Sequence, residues 1–92
     1  MIEIKLNKEK SRSEAKDEEK TIGLCEYQTK GYVIDIYHTE VDPSYGGKGI
    51  AGKLLEEVVG LAKKEAKKIY PTCSYVRKKF DEDDSYKDID VR

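Results

Sequence analysis

Four of the chain's seven glycines fall within one short segment, at Gly46, Gly47, Gly49 and Gly52. The segment runs directly into a helical period. Ile50, Ala51, Leu54, Leu55, Val58, Leu61, Ala62 and Ala66 fall on one stripe, and Lys53, Glu56, Glu57, Lys63, Lys64 and Lys67 fall on the other. A glycine cluster that opens an amphipathic helix restricts the fold. Glycines let successive backbone N–H groups close around an anion, and a helix N-terminus adds roughly half a positive charge. The helix must also have a surface on which to lay its apolar stripe. Gly60, inside it, costs about 1 kcal/mol relative to alanine and is expected to mark close packing.

The rest of the chain supplies that surface. Ile2, Ile4 and Leu6 alternate with Glu3, Lys5 and Asn7, the pattern of a half-buried strand. From Lys8 to Lys20 the only apolar residue is Ala15, so this stretch reads as a solvated loop with a short edge strand near Arg12–Lys16. Thr21–Thr29 is rich in strand formers, with Gly23 placed to mark a bulge. Lys30-Gly31 is a tight turn into Tyr32–Thr39, where Val33, Ile34, Ile36 and Tyr37 make a strand buried on at least one face. Pro43 lacks a ladder donor and closes it. Beyond the long helix, Ile69-Tyr70 forms a short strand stopped by Pro71, and Ser74 is expected to cap a second helix over Tyr75–Phe80. The first half is thus an antiparallel meander.

Length sets the scale. Ninety-two residues make a single domain, 1–92, with a thin core: Leu, Ile, Val and Phe together number 20, just above the fraction at which disorder sets in. The 18 Lys and Arg nearly cancel 19 Asp and Glu. That balance speaks against a dedicated nucleic-acid binder, which carries a net basic face. The lysines from Lys63 to Lys68 therefore read as a solvated helix face. No apolar run approaches membrane-spanning length and no leader pattern stands at the N-terminus. A cytoplasmic monomer with neither nucleic-acid nor membrane partners is expected. Cys25 and Cys73 read as free thiols, and no metal-ligand pattern is evident.

Three phosphate-loop patterns compete for the glycines. Gly47-x-Gly49-x-x-Gly52 fits a dinucleotide fingerprint, and Gly47-x-x-x-x-Gly52-Lys53 fits a P-loop until Leu54 replaces the magnesium-binding Ser or Thr. The dinucleotide fold needs an acidic residue about 20 positions on, and Lys67–Thr72 contains none; only 40 residues follow Gly52. Gly46-Gly47-Lys48-Gly49-Ile50-Ala51 also fits the acyl-CoA loop Q/R-x-x-G-x-G/A, apart from glycine at its first position. Several strands, an exit at Val41-Asp42-Pro43 and one long helix suit this third pattern best.

The segment from His38 to Ala51, followed by Lys53-Leu54-Leu55, resembles the core motif of the GNAT N-acetyltransferases. Pro71-Thr72-Cys73-Ser74-Tyr75-Val76, with Phe80 and Ser85-Tyr86-Lys87-Asp88 downstream, resembles the signature of a miniature group of that family. The likeness runs from Tyr32 to Ile89; Lys8–Lys20 lacks the apolar residues of the family's second strand. It implies an α/β fold, a mainly antiparallel sheet with one long helix and a short C-terminal helix. It also implies an acetyl-CoA or CoA site. Backbone amides of Gly46, Gly47, Lys48, Gly49, Ile50, Ala51 and Gly52 would hold the pyrophosphate, and Lys48 and Lys53 would add charge. The Val41 N–H would meet the pantetheine arm or the thioester carbonyl. A non-catalytic CoA or acyl-CoA binding module is the alternative function.

Acetyl transfer needs a neutral acceptor, a polarised carbonyl and a proton for the leaving thiolate. Cys73 follows a Pro-terminated strand beside a helix start, where a thiol is readily activated. The resemblance makes it the acyl carrier of a ping-pong route; a small buried thiol is the plainer reading. His38, the only histidine, is placed to deprotonate Cys73 or an incoming amine, if their strands are neighbours; a hydrogen-bonded core histidine is the plainer reading. Tyr75 and Tyr86 are further acid candidates. Glu40 and Asp42 read as solvated and Cys25 as structural. Nothing identifies the acceptor, an amine or a thiol.

Overall fold

The computed structural model describes residues 1–92. Five strands form one sheet in the order β1-β2-β3-β4-β5: β1 Ile2–Asn7, β2 Arg12–Asp17, β3 Lys20–Lys30, β4 Val33–Val41 and β5 Lys68–Pro71. The first four are antiparallel neighbours, and β5 joins β4 in parallel after the crossover through helix α1, Ile50–Lys64. Helix α2, Ser74–Glu82, follows β5; a 3-10 turn at Pro43–Tyr45 precedes α1 and another at Asp84–Tyr86 follows α2. This is the α/β, mainly antiparallel architecture expected from the sequence.

The core lies between α1 and one face of the sheet. Leu54, Leu55, Val58 and Ala62 of α1 meet Ala15, Cys25, Ile34 and Ile36 in a single buried cluster that also takes in Val76 and Phe80 of α2. Burying each large aliphatic chain contributes about 1.5–3 kcal/mol. The opposite face has no helix on it and presents Glu3, Lys5, Gln28, His38, Glu40, Lys68 and Tyr70 to solvent. None of the helices is long and apolar enough to cross a membrane.

Three expectations need correction. The Lys8–Lys20 segment holds an interior strand, β2, paired on both sides, because its polar residues are satisfied where they are buried. Ser13 Oγ donates to the Leu54 carbonyl at 2.8 Å. Glu14 is held by Arg12 at 2.7 Å, with Asn7 and Lys16 alongside. Burial pushes the Glu14 carboxyl up, but these three donors more than offset it and leave it below the ordinary value. Gly60 is exposed and a Cβ there would meet nothing within 4 Å; close packing is at Gly23, whose Cβ would lie 3.2 Å from the Glu40 carbonyl and from Leu54. The bulge expected at Gly23 is present right beside it: Ala15 pairs with Gly23 and Lys16 with Thr21, so Ile22 is one extra residue in β3. Ser74 is the first residue of α2, and Cys73 occupies the capping position with no side-chain cap bond.

Candidate functional site

Strands β4 and β5 run together only briefly. Their pairing covers Val33–Ile36 against Lys68–Pro71, and the last link is the Cys73 N–H donating to the Ile36 carbonyl at 2.8 Å. Beyond it β5 turns into α2 while β4 continues to Val41. The two diverge, and Tyr37–Val41 has no strand on that side.

A bulge decides what faces this gap. Tyr27 pairs with Ile36 but Glu26 pairs with His38, so Tyr37 is one extra residue in β4. The side-chain alternation inverts there. Without the bulge His38 would share the core face of Ile34 and Ile36; with it, Thr39 and Val41 turn to the core side and His38 and Glu40 to the open face. The Asp42 N–H donates to the Ile22 carbonyl at 2.7 Å. By the antiparallel pattern, the backbone groups of Asp42, Glu40 and His38 therefore point to β3, and those of Val41 and Thr39 point into the gap.

The glycine loop closes the other end. Asp42 accepts from the Ser44 N–H at 2.9 Å and hydroxyl at 2.8 Å, which lowers its pKa and starts the 3-10 turn; it is a cap as well as a solvated carboxylate. Gly47 and Gly49 have φ of +77° and +71°, the left-handed region that glycine enters freely. Helix α1 begins from Gly49 with no side-chain cap and no acidic residue in its first turn. No backbone N–H from Gly47 to Gly52 has an acceptor within the protein; the first to find one is Lys53, bonded to the Gly49 carbonyl at 3.2 Å. Six consecutive free amides, with the helix dipole behind them, form a ready anion cradle.

The residues singled out from the sequence largely converge here. Val41, Gly46 through Gly52, Tyr45 and Tyr75 line one groove of about 160 Å³. Ile50 contributes only backbone, since its side chain is 4% exposed and lies in the core. Lys53 lines an adjoining groove of about 470 Å³ that shares Gly49 and Gly52 and also carries Lys79. Burial raises the Tyr75 hydroxyl pKa, and the two thiols nearby add to the effect.

The expected Cys73–His38 pair is not formed. His38 bonds to Glu40 at 2.6 Å on the open face, whereas the Cys73 thiol donates to the Thr39 hydroxyl at 3.6 Å on the core side. Thr39 in turn donates to Cys25 at 3.5 Å, so Cys25 has a partner that the sequence did not suggest. Burial pushes the Cys25 thiol up to about 11. Tyr86 stands away from the gap, stacked on Phe80 and bonded to Glu56, with its hydroxyl pKa raised by burial and that carboxylate. Thr39 was missed; only the bulge, invisible to an alternation count, brings it to the site.

Comparison with known proteins places this geometry. Residues 12–89 match the profile of the GCN5-related N-acetyl-transferases. The chain belongs to that family. The match includes β2, which the residue-level likeness had left out. Among solved structures, a GCN5-like protein from Staphylococcus aureus, determined by NMR, is 31% identical, with a TM-score of 0.77 over 97% of this chain and 87% of that one. The PaiA N-acetyltransferase of Thermoplasma acidophilum, solved in complex with coenzyme A, shares the fold at 20% identity and a TM-score of 0.62, covering 77% of this chain and 48% of that one. Protein NATD1 of Gallus gallus is 35% identical over 60 residues, 65% of this chain and 54% of NATD1; the Homo sapiens protein matches at the same identity. The chain thus spans about half the length of these NATD1 relatives.

Proposed function

We propose that the protein binds acetyl-CoA and transfers its acetyl group to an amine or thiol acceptor, with Cys73 as an intermediate carrier. The observation that carries this reading is the row of six unpartnered amides from Gly47 to Gly52 at the mouth of the β4–β5 gap. The residues present fit the ligand. The cradle suits a pyrophosphate, and Lys48 and Lys53 stand exposed beside it to add charge. The Val41 N–H faces the gap along which a pantetheine arm would lie. The larger adjoining groove, with Lys53 and Lys79, suits the nucleotide end. Family membership and the coenzyme A complex of PaiA support the same ligand class.

When bound, acetyl-CoA supplies an activated thioester. The Cys73 thiol, half-buried at the end of the β4–β5 pairing, gives its proton to water at the open mouth. Its sulfur attacks the carbonyl carbon while the Val41 N–H donates to the carbonyl oxygen. The bond from Cys73 to the acetyl carbon forms as the carbon–sulfur bond to CoA breaks, and the Tyr75 hydroxyl donates the proton that the leaving sulfur needs. Water restores that proton to Tyr75. Attack by the acceptor on acetyl-Cys73 then frees the cysteine, whose sulfur takes up the acceptor's proton. His38 and Glu40, on the open face, do not act on Cys73 in this scheme.

Intact mass after mixing with acetyl-CoA tests it. The wild type is expected to gain one acetyl group and lose it when an acceptor is added; Cys73→Ala is expected to gain none. An unmodified wild type, with transfer persisting in Cys73→Ala, would remove Cys73 from the route and leave direct transfer.

A further inference from the structure

A single hydroxyl stands between the two sulfurs of the site. Thr39 Oγ1 lies 3.5 Å from Cys25 Sγ and 3.6 Å from Cys73 Sγ, and Cys73 Sγ makes no other hydrogen bond. The Tyr37 bulge is what places it there, by turning residue 39 and not residue 38 toward the core side of the gap. A strand can be extended without a bulge, and bulges commonly re-aim a side chain beside a site.

We propose that Thr39 is the positioning residue of Cys73: its hydroxyl accepts from the resting thiol and swings its own proton from Cys25 onto the thiolate when that forms. This rests on the reading of Cys73 as the acetyl carrier. The donor and acceptor inventory permits it, because a hydroxyl has one rotatable proton and two lone pairs. In the resting state the thiol holds one lone pair and Cys25 receives the proton. Once Cys73 loses its proton the site needs a donor, and Thr39 is the one hydroxyl already in contact. Cys25 is the place where the proton waits. It is wholly buried, and burial holds it as a neutral thiol, so it is a weak acceptor that releases the hydroxyl readily. Thr39 carries no proton away; it only turns.

The test is the rate at which iodoacetamide alkylates Cys73, followed by mass across a range of pH with no CoA present. Cys25 is inaccessible in the folded protein, and peptide mapping confirms which thiol reacts. Thr39→Val keeps the shape and removes the hydroxyl. Its alkylation is expected to be about tenfold slower near neutral pH, with the whole pH–rate profile moved to the alkaline side, since a hydrogen bond to a charged group is among the stronger ones. Thr39→Ser is expected to recover to within about twofold of wild type, a rescue that a packing role of the methyl group would not give. Should Thr39→Val not fold, Thr39→Ala makes the same deletion. A wild-type profile in the variant without a hydroxyl, or a serine variant as slow as valine, would overturn the proposal. Failure of the wild type to form acetyl-Cys73 would overturn the carrier reading but leave this alkylation difference standing, so the two can be told apart.

Discussion

Gly47→Asp is expected to weaken CoA binding by about a hundredfold or more while leaving the fold intact. Asp is one of the few residues that tolerates the left-handed φ of +77° at this position, and a Cβ there would meet nothing within 4 Å. The backbone therefore survives the change. What changes is the cradle, where a carboxylate now faces the amides from Gly47 to Gly52 and repels the phosphates they would hold. Losing one or two charge-assisted hydrogen bonds at about 1.5–3 kcal/mol each gives the hundredfold, about 2.7 kcal/mol. Isothermal titration with CoA measures it, and thermal unfolding checks that the melting temperature moves by only a few degrees. A variant that binds CoA like the wild type would take the anion site away from the loop.

Leu54→Ala is expected to cost the most stability of any single truncation on α1. Leu54 is wholly buried, its Cδ1 lies 3.2 Å from where a Gly23 Cβ would be, and its carbonyl accepts the Ser13 hydroxyl. The side chain thus fixes the first full turn of α1 against β2 and β3, just behind the glycine loop. Truncating a buried leucine costs about 2–5 kcal/mol, against about 5–15 kcal/mol for a whole domain. For a chain of this size the melting temperature should fall by about 10–30 °C. Chemical denaturation with an unchanged slope would confirm a loss of native packing. A loss below about 1 kcal/mol would mean that the helix is not docked on the sheet through this residue.

What the sequence discloses and what it hides have different physical origins. The long helix, the glycine loop and the β3–β4 hairpin are legible because each is fixed by local periodicity or by glycine stereochemistry. β2 is not, since Ser13 is buried against a partner remote in the chain, the Leu54 carbonyl, and Glu14 is satisfied only once Arg12 and Lys16 of its own strand and Asn7 of the paired β1 converge on it. The loop residues of the candidate site could be named for the same local reason, and they share a groove with Val41. The Cys73–His38 pairing could not be judged, because one extra residue at Tyr37 inverts the face of everything after it in β4. Alternation counted along the chain puts His38 inward; the register puts Thr39 there. Gly60 misled for the opposite reason. A glycine in a helix suggests a close neighbour, yet this one lies on the solvent face.

The central claim is that the N-terminus of α1 and the free edge of β4 form one CoA site, and amide chemical shifts recorded during a CoA titration test it most directly. The largest changes are expected at Gly47 to Gly52 and at Val41, saturating together with a single dissociation constant. Shifts confined to other surfaces, or none at all at near-millimolar CoA, would contradict it.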